Sequence, residues 1–306
     1  MVDVTVIILT KNEELHLGRC LARLRALEPR RVVVVDSEST DATAEIARRE
    51  GAEVMVHPWP GNQAAQFNWA LDALDIRSEW VLRLDADEYL SPELTEEIRA
   101  KLPTMPADVS ALVIPLGRYF LNRRLRHGIV NGIAMVRMFR RGYCRYEQRL
   151  MDEHLQILSG RSETLTHPFY DHSLLPLSAF IAKHNGYADR EAALLLAEKY
   201  RPQSAEADKA GGLADAVAAK RRQKSLYGRM PLFWRSTAYF LYRYIVRLGF
   251  LDGKEGFLWD FLQGWWYRTL VDAKVMEVER ACAADPGRLR AFLAERYGIR
   301  LLAGAP

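Results

Sequence analysis

Two carboxylates two residues apart, Asp85 and Asp87, follow the strand-like run Trp80–Leu84. At the end of a buried strand such a pair reaches a single oxygen-loving cation. A divalent ion held there bridges the oxygens of a nucleoside diphosphate and neutralises charge as that group departs. Another carboxylate, Asp36, ends the run Val32–Val35, where it can accept hydrogen bonds from a nucleobase N–H or a ribose hydroxyl. Asp41, five residues on, is a candidate helix cap. Between Arg118 and Arg149 stand nine arginines and one acid, Glu147. Their forked guanidinium groups suit a diphosphate or a phosphorylated acceptor.

These groups meet only if the chain folds so that strand ends coincide. Val4–Leu9, Arg31–Val35, Glu53–Val56, Trp80–Leu84 and Ala111–Pro115 read as strands. Between them, helical spacing covers 13–27, 41–49, 62–74 and a segment opened by Ser91-Pro92, with Ser as cap and Pro in the first turn. Repeated strand–helix alternation predicts a mostly parallel α/β sheet with helices on both faces. Ligands of such sheets bind at the carboxyl ends of the strands, so Asp36 and the Asp85-Ala86-Asp87 turn are expected to face one crevice.

The chain has 306 residues, 49% of them hydrophobic and 27% charged, enough for a sizeable core. Its three cysteines, Cys20, Cys144 and Cys282, are far apart, which excludes a disulfide framework and a cysteine zinc site and fits a reducing compartment. The net charge of +4 conceals a division. Residues 1–110 carry 12 Lys and Arg against 20 Asp and Glu, and residues 111–306 carry 31 against 19. The acidic front argues against a nucleic-acid partner. Fourteen of the 31 aromatic residues lie between Tyr227 and Tyr267. In Leu232–Leu251, Arg235, Arg243 and Arg247 fall within an arc of about 120° at helical spacing. That pattern predicts a cationic, aromatic face on an anionic membrane surface, with a homo-oligomer interface or plain core as alternatives. Gly249–Lys254 is the expected bend. No signal peptide and no uncharged run of about 20 residues is visible, so a cytoplasmic, peripheral location on the inner face of the cell membrane is expected.

Three blocks, Ile7-Ile8-Leu9-Thr10-Lys11-Asn12-Glu13-Glu14, Val32 to Thr43 and Arg83-Leu84-Asp85-Ala86-Asp87-Glu88, together resemble the inverting glycosyltransferases of family 2 over about the first 115 residues. The resemblance implies a GT-A, Rossmann-like nucleotide-diphospho-sugar transferase fold with an α-helical C-terminal extension. It also implies a UDP-, GDP- or dTDP-sugar donor and a Mg²⁺ or Mn²⁺ ion. By that resemblance Asp36 holds the base, Asp85 the ribose or the metal, and Asp87 the metal. Thr10 and Glu13 line the nucleotide pocket, and Gln66 and Asn68 lie beside it. Later segments, including Met138-Phe139-Arg140-Arg141-Gly142 and Arg149-Leu150-Met151-Asp152-Glu153-His154, resemble a branch that contains lipopolysaccharide-core and other cell-envelope enzymes. There Glu153 is the implied base that deprotonates an acceptor hydroxyl, with Asp152 as the alternative. Either Asp171 or His172 completes the metal site. The implied division is a nucleotide-sugar half (1–115), an acceptor and catalytic region (116–200) and a helical, membrane-associating region (201–306). The implied acceptor is a lipid-linked or other saccharide. A nucleotidyltransferase of similar fold and a non-catalytic membrane-surface module are the alternatives. The first is disfavoured because Thr10 to Glu14 is not a Gly-rich basic phosphate loop.

Overall fold

Successive side chains of a strand face opposite sides. In β1 (Val2–Thr10), Val4, Val6 and Ile8 enter one apolar cluster while Ile7 and Leu9 enter another. β2 (Pro29–Asp36) divides in the same way, with Val34 on the first side and Val33 and Val35 on the second. Such strands are apolar on both faces, so they need helices on both. α1 (Leu17–Leu24) and α2 (Thr43–Arg49) cover the first side. After β3 (Glu53–Val56), α3 (Gln63–Ala73) covers the second, started by Asn62, whose side chain accepts from Ala65 N–H at 2.7 Å. β4 (Trp80–Asp85) and the short β5 (Glu88–Leu90) precede α4 (Pro92–Lys101), which returns to the first side. Ser91 caps α4 by accepting from Leu94 N–H at 3.0 Å.

The computed structural model describes residues 1–130, 132–147, 155–200, 230–283 and 285–297. Within the first of its two units, Met1–Leu175, the strands beyond α4 are β6 (Val109–Phe120), β7 (Arg123–Leu125), β8 (Ala134–Arg140), β9 (Cys144–Tyr146), β10 (Leu155–Ile157), β11 (Arg161–Thr164) and β12 (Phe169–Asp171). The main sheet runs β3-β2-β1-β4-β8-β6-β12-β5, with β7 and β11 also paired to β6. β1 to β4 pair in parallel, and β8 lies antiparallel between β4 and β6. The α/β architecture with helices on both faces is thus as expected. The strand read at Ala111–Pro115 is longer, Val109–Phe120, and the arginine-rich stretch supplies three strands, β7, β8 and β9.

The second unit, Pro176–Pro306, is helical where described. Ala188, Ala192, Ala193 and Leu196 of α5 (Leu177–Lys199) share a core with other helices of the unit, whose shorter members are α6 (Trp234–Leu241) and α7 (Gly253–Trp259). That core takes Val271, Val275 and Val278 from α8 (Tyr267–Cys282) and Leu289 and Leu293 from α9 (Pro286–Tyr297). α5, grouped in the sequence reading with residues 116–200, belongs to this unit. No helix of the described residues is long and apolar enough to cross a membrane. Of the cationic face expected of Arg235, Arg243 and Arg247, only Arg247 is exposed. The other two are buried, Arg235 against Asp272 and Arg243 against Asp260, because two acids far along the chain give their charges an internal partner.

One anchor joins α4 to the loop before β12. Glu97 accepts from Thr166 N–H and His167 N–H, each at 3.0 Å, and pairs with Lys101 at 2.9 Å. Burial works against its charge, but these donors outweigh burial and hold the carboxyl down at about 2, below its ordinary 4.5. A depressed carboxyl stabilises the fold above its unfolded value and loses that contribution as pH falls. Glu97→Gln is therefore expected to cost about 1–3 kcal/mol at neutral pH, the scale of hydrogen bonds to a charged group. Urea melts should show the gap between wild type and variant closing as pH drops from 4.5 towards 2. A pH-independent gap would rule out the charged anchor.

Candidate functional site

Strand β1 lies between β2 and β4, so the chain leaves it in opposite directions and opens a crevice at the carboxyl ends. Register brings the ends level: Thr10 is opposite Asp36 and Leu9 opposite Asp85. Asp36 is buried. It accepts from Thr10 Oγ1 at 2.9 Å, Ser39 Oγ at 2.5 Å and Ser39 N–H at 2.9 Å. The two loops leaving β1 and β2 are fastened along their length. Lys11 Nζ donates to the carbonyls of Ser37 (2.6 Å) and Glu38 (2.8 Å), and Asn12 N–H donates to Ser39 Oγ (2.8 Å). Glu13 N–H donates to Thr43 Oγ1 (2.8 Å) and Glu14 N–H to Asp41 Oδ2 (3.2 Å). Asp41 sits one residue before the cap position of α2, where it also accepts from Thr43 N–H at 3.0 Å. Burial alone would raise its pKa, but the donors from Thr43 and Glu14 hold it below the usual carboxylate value.

The acidic turn rests on buried charges. Glu88 accepts from Asp85 N–H at 2.9 Å and pairs with Arg137. Arg83 reaches Asp85 Oδ1 at 3.2 Å and Gln63 Oε1 at 3.0 Å, and Arg137 lies 3.7 Å from Asp85 Oδ2. Both guanidiniums also lie over rings, Arg83 at 4.7 Å from the centroid of Tyr146 and Arg137 at 5.1 Å from that of Phe169. Arg137 is the extra residue of a β-bulge. Between β6 and β8, Leu112 pairs with Met138 but Val113 pairs with Val136. Bulges re-aim a side chain in this way. Burial pushes the Glu88 carboxyl up; Arg137 opposes the rise, and Asp85, Asp171 and Asp87 add to it.

The other expected residues are placed unevenly. Gln66 is buried and donates to Ser37 Oγ and the His57 carbonyl, each at 3.1 Å, so it supports the Asp36 loop from behind. Asn68 turns away, with both ends of its amide on the backbone of Tyr146 (2.9 and 3.1 Å). The Glu13 carboxylate meets His16 Nδ1 at 2.6 Å. His16 Nε2 accepts from Leu174 N–H at 2.9 Å, so the ring carries its proton on Nδ1 and gives it to Glu13. His172 lies next to the acidic turn through its backbone, donating its N–H to the Asp87 carbonyl at 3.0 Å. Its ring stacks on Tyr119 at 4.4 Å and meets Asn122 Oδ1 at 2.9 Å. Burial, then the charge of Arg19, lowers its pKa. Asp171 is paired with Arg118 at 2.7 Å. Asp152 and Glu153 lie outside the described residues. Among the described residues no three His, Cys, Asp or Glu side chains converge to hold a metal ion, so the set Asp85, Asp87 and His172 does not form a closed cage. Sequence reasoning gave Arg83, Arg137, Lys11 and Ser39 no individual role. Only Arg83 had a local signal, being two residues before Asp85 on the same strand.

Residues 5–170 match the family model described as Glycosyl transferase family 2. An uncharacterized glycosyltransferase of Rickettsia typhi is 42% identical over 98 residues, which are 32% of this chain and 32% of that protein. One of Mycobacterium bovis is 47% identical over 99 residues, 31% of this chain and 43% of that protein. The match therefore spans less than half the length of either relative. Among solved structures, glucosyl-3-phosphoglycerate synthase from Mycobacterium tuberculosis, in complex with Mn²⁺, UDP and glucosyl-3-phosphoglycerate, overlaps 38% of this chain and 44% of that one, with 19% identity and a TM-score of 0.32. Mannosyl-3-phosphoglycerate synthase from Rubrobacter xylanophilus overlaps 38% and 41%, with 23% identity and a TM-score of 0.33.

Removing Arg137 leaves Glu88 buried without its cation. Arg137→Met is expected to cost about 3–5 kcal/mol in denaturant unfolding. Asn68→Ala should cost about 1–3 kcal/mol, because it strips two buried backbone groups of their partner. It should leave the affinity of any ligand at the Asp36 loop within about twofold. A large loss of that affinity at unchanged stability would instead put Asn68 in direct contact with the ligand.

Proposed function

The chain belongs to glycosyl transferase family 2, and from that premise we propose that it moves a sugar, with inversion, from a nucleotide-diphosphate donor to a saccharide acceptor. The observation that supports this most is the level register of Thr10, Asp36 and Asp85 at the point where the strand order reverses. Such a crevice accepts a nucleotide along the strand ends. In this reading the fastened loops at 10–14 and 36–43 receive the base and ribose of a UDP, GDP or dTDP sugar. Asp36 already takes three internal donors, and a carboxylate has about four acceptor positions, so one remains for a base N–H.

Asp85 and Asp87 are the proposed ligands of Mg²⁺ or Mn²⁺. A hard cation that draws its other oxygens from substrate phosphates needs one or two carboxylates from the protein, and this turn supplies two. When bound, the ion would offset charge on the departing diphosphate. Arg83 and Arg137 orient Asp85 for that task. Glu153, with Asp152 as the alternative, takes the proton of the acceptor hydroxyl as that oxygen attacks the anomeric carbon and the bond to the diphosphate breaks. His172 would border the turn, its pKa lowered by burial and then by the charge of Arg19. The branch resemblance supports a lipid-linked acceptor in bacterial polysaccharide or lipopolysaccharide assembly at the inner face of the cell membrane.

Thermal melts with UDP, GDP and dTDP, each with and without Mn²⁺, test the donor site. One nucleotide should raise the melting temperature by several degrees in a metal-dependent way, as binding to the folded state alone requires. Asp87→Ala should remove the metal-dependent part. Glu153→Gln should keep nucleotide binding and lose transfer about 10²- to 10⁴-fold, the usual contribution of a general base. No response to any nucleotide would overturn the proposal. Near-normal transfer by Glu153→Gln would shift the base to another residue.

A further inference from the structure

Between Phe233 and Tyr267 the usual arrangement of polar and apolar groups is reversed. Two ion pairs lie inside. Arg243 donates from Nε to Asp260 Oδ1 at 2.8 Å, and these side chains are 4% and 2% exposed. Arg235 donates from Nε to Asp272 Oδ1 at 2.8 Å, and Asp272 Oδ2 accepts from Phe233 N–H at 2.7 Å. Small residues let the backbones close on the first pair. A Cβ on Gly249 would come within 1.9 Å of Asp260 Oδ2, and one on Gly264 within 2.9 Å of Arg243 Cδ. Two wider, π-type turns, Tyr242–Val246 and Asp260–Trp266, carry the two members of that pair.

Many large apolar side chains lie outside, although Trp259 and Leu262 are buried. Trp234 is 75% exposed and Val246 66%, and Leu241, Ile245, Leu251 and Phe257 are all more than 40% exposed. In water this is the costly choice. Burying an ion pair gains little or nothing over burying hydrocarbon of the same volume, and each exposed aliphatic group forgoes its transfer free energy. The arrangement is favourable when the surroundings are themselves apolar, where helices associate through small residues and paired polar groups.

The exposed charges identify those surroundings. Between residues 230 and 260 the exposed charged residues are Arg247 and Lys254, while Asp252 and Asp260 are buried and Glu255 is half-buried. Two copies of a face with this charge would repel each other. A protein interface commonly has a rim carrying both signs. An anionic lipid surface complements it directly. An open groove of about 560 Å³ between Tyr244, Phe250, Phe257 and Leu258, with Lys254 on its wall, has the lining for an acyl chain beneath a headgroup phosphate.

We propose that the 233–267 segment is an inverted helical hairpin that sinks its apolar side into one leaflet of an anionic bilayer, with the Arg243–Asp260 and Arg235–Asp272 pairs as its internal frame. This differs from helices lying on headgroups through arginines, since Arg235 and Arg243 face inward. It also stands apart from the sugar-transfer reading, because its test measures no activity.

The test is flotation of the full chain with phosphatidylcholine vesicles, with and without 30% phosphatidylglycerol (about that fraction suffices for a strong surface potential). The intact protein should float with the anionic vesicles and keep more than half its binding in 1 M salt, because the apolar contact is not screened. Vesicles brominated along the acyl chains should quench its tryptophan fluorescence. Ile245→Glu/Val246→Glu should lower vesicle binding at least tenfold, with an unchanged thermal melt and unchanged nucleotide response, since both positions are exposed. Lys254→Glu should weaken binding to anionic vesicles alone. Failure of the intact protein to float would overturn the proposal. So would complete release by salt without bromine quenching, or a concentration-dependent dimer that Ile245→Glu/Val246→Glu converts to monomer.

Discussion

Four charged side chains under the turn after β4 depend on one another. Arg83 and Arg137 are buried, and what makes their burial tolerable is the pair of acids they meet, Asp85 and Glu88. Removing any one member leaves an uncompensated charge in a low-dielectric setting, which is the expensive case for buried ions. The turn carrying Asp85 and Asp87 is thus locked by charges beneath it more than by its own short backbone. Glu88 adds a direct clasp by accepting the Asp85 N–H. A site assembled in this way keeps its geometry before any ligand arrives, and preorganised groups stabilise developing charge without a reorganisation cost.

The neighbouring loops achieve the same end by hydrogen bonds between them and not by buried ion pairs. Residues 10–14 and 36–43 exchange donors and acceptors at almost every step, so two connections that would otherwise be mobile act as one wall. Asn12 and Glu38 adopt positive φ (55° and 57°), a strained choice for residues other than glycine that the surrounding bonds hold in place. At the far side, His16 and His172 fasten the segment after β12. His16 accepts from Leu174 N–H, and His172 donates its backbone N–H to Asp87. The acidic turn therefore has buried charge below it and backbone ties beside it.

The parallel half of this design was legible in the sequence because β1, β2 and β4 each hold a short apolar run (6–9, 32–35 and 80–82) that leads towards polar residues at the strand end. Period and punctuation sufficed to place Thr10, Asp36 and Asp85 at one edge. Of the antiparallel half only the middle of β6 was legible, for a definite reason. β8 carries Arg137 and Arg140 among apolar residues, and charged residues at strand positions read as surface until their partners are known. Arg137 finds Glu88 forty-nine residues away, and a bulge aims it there. Neither a distant partner nor a bulge leaves a periodic trace. Asn68 shows the converse difficulty. A polar residue near a binding block reads as a ligand contact, yet its amide matches the backbone of Tyr146, and nothing at position 68 announces that pairing.

The second unit shows the same ambiguity with the opposite sign. Helical spacing put Arg235, Arg243 and Arg247 on one face of their segment, but spacing cannot say which side chains are inside: the first two are buried and Arg247 is exposed. In water the default answer is that arginines face out. Here Asp260 and Asp272, 17 and 37 residues further on, receive the buried two, and the glycines at 249 and 264 leave room for the contact. Once these pairs are sealed, helical geometry forces the aromatic and aliphatic residues outward. The exposed Trp234, Ile245 and Val246 are then consequences of the buried pairs and not separate features. A single reversal, set by two acids and two glycines, turns an ordinary amphipathic pattern into a surface that favours an apolar medium.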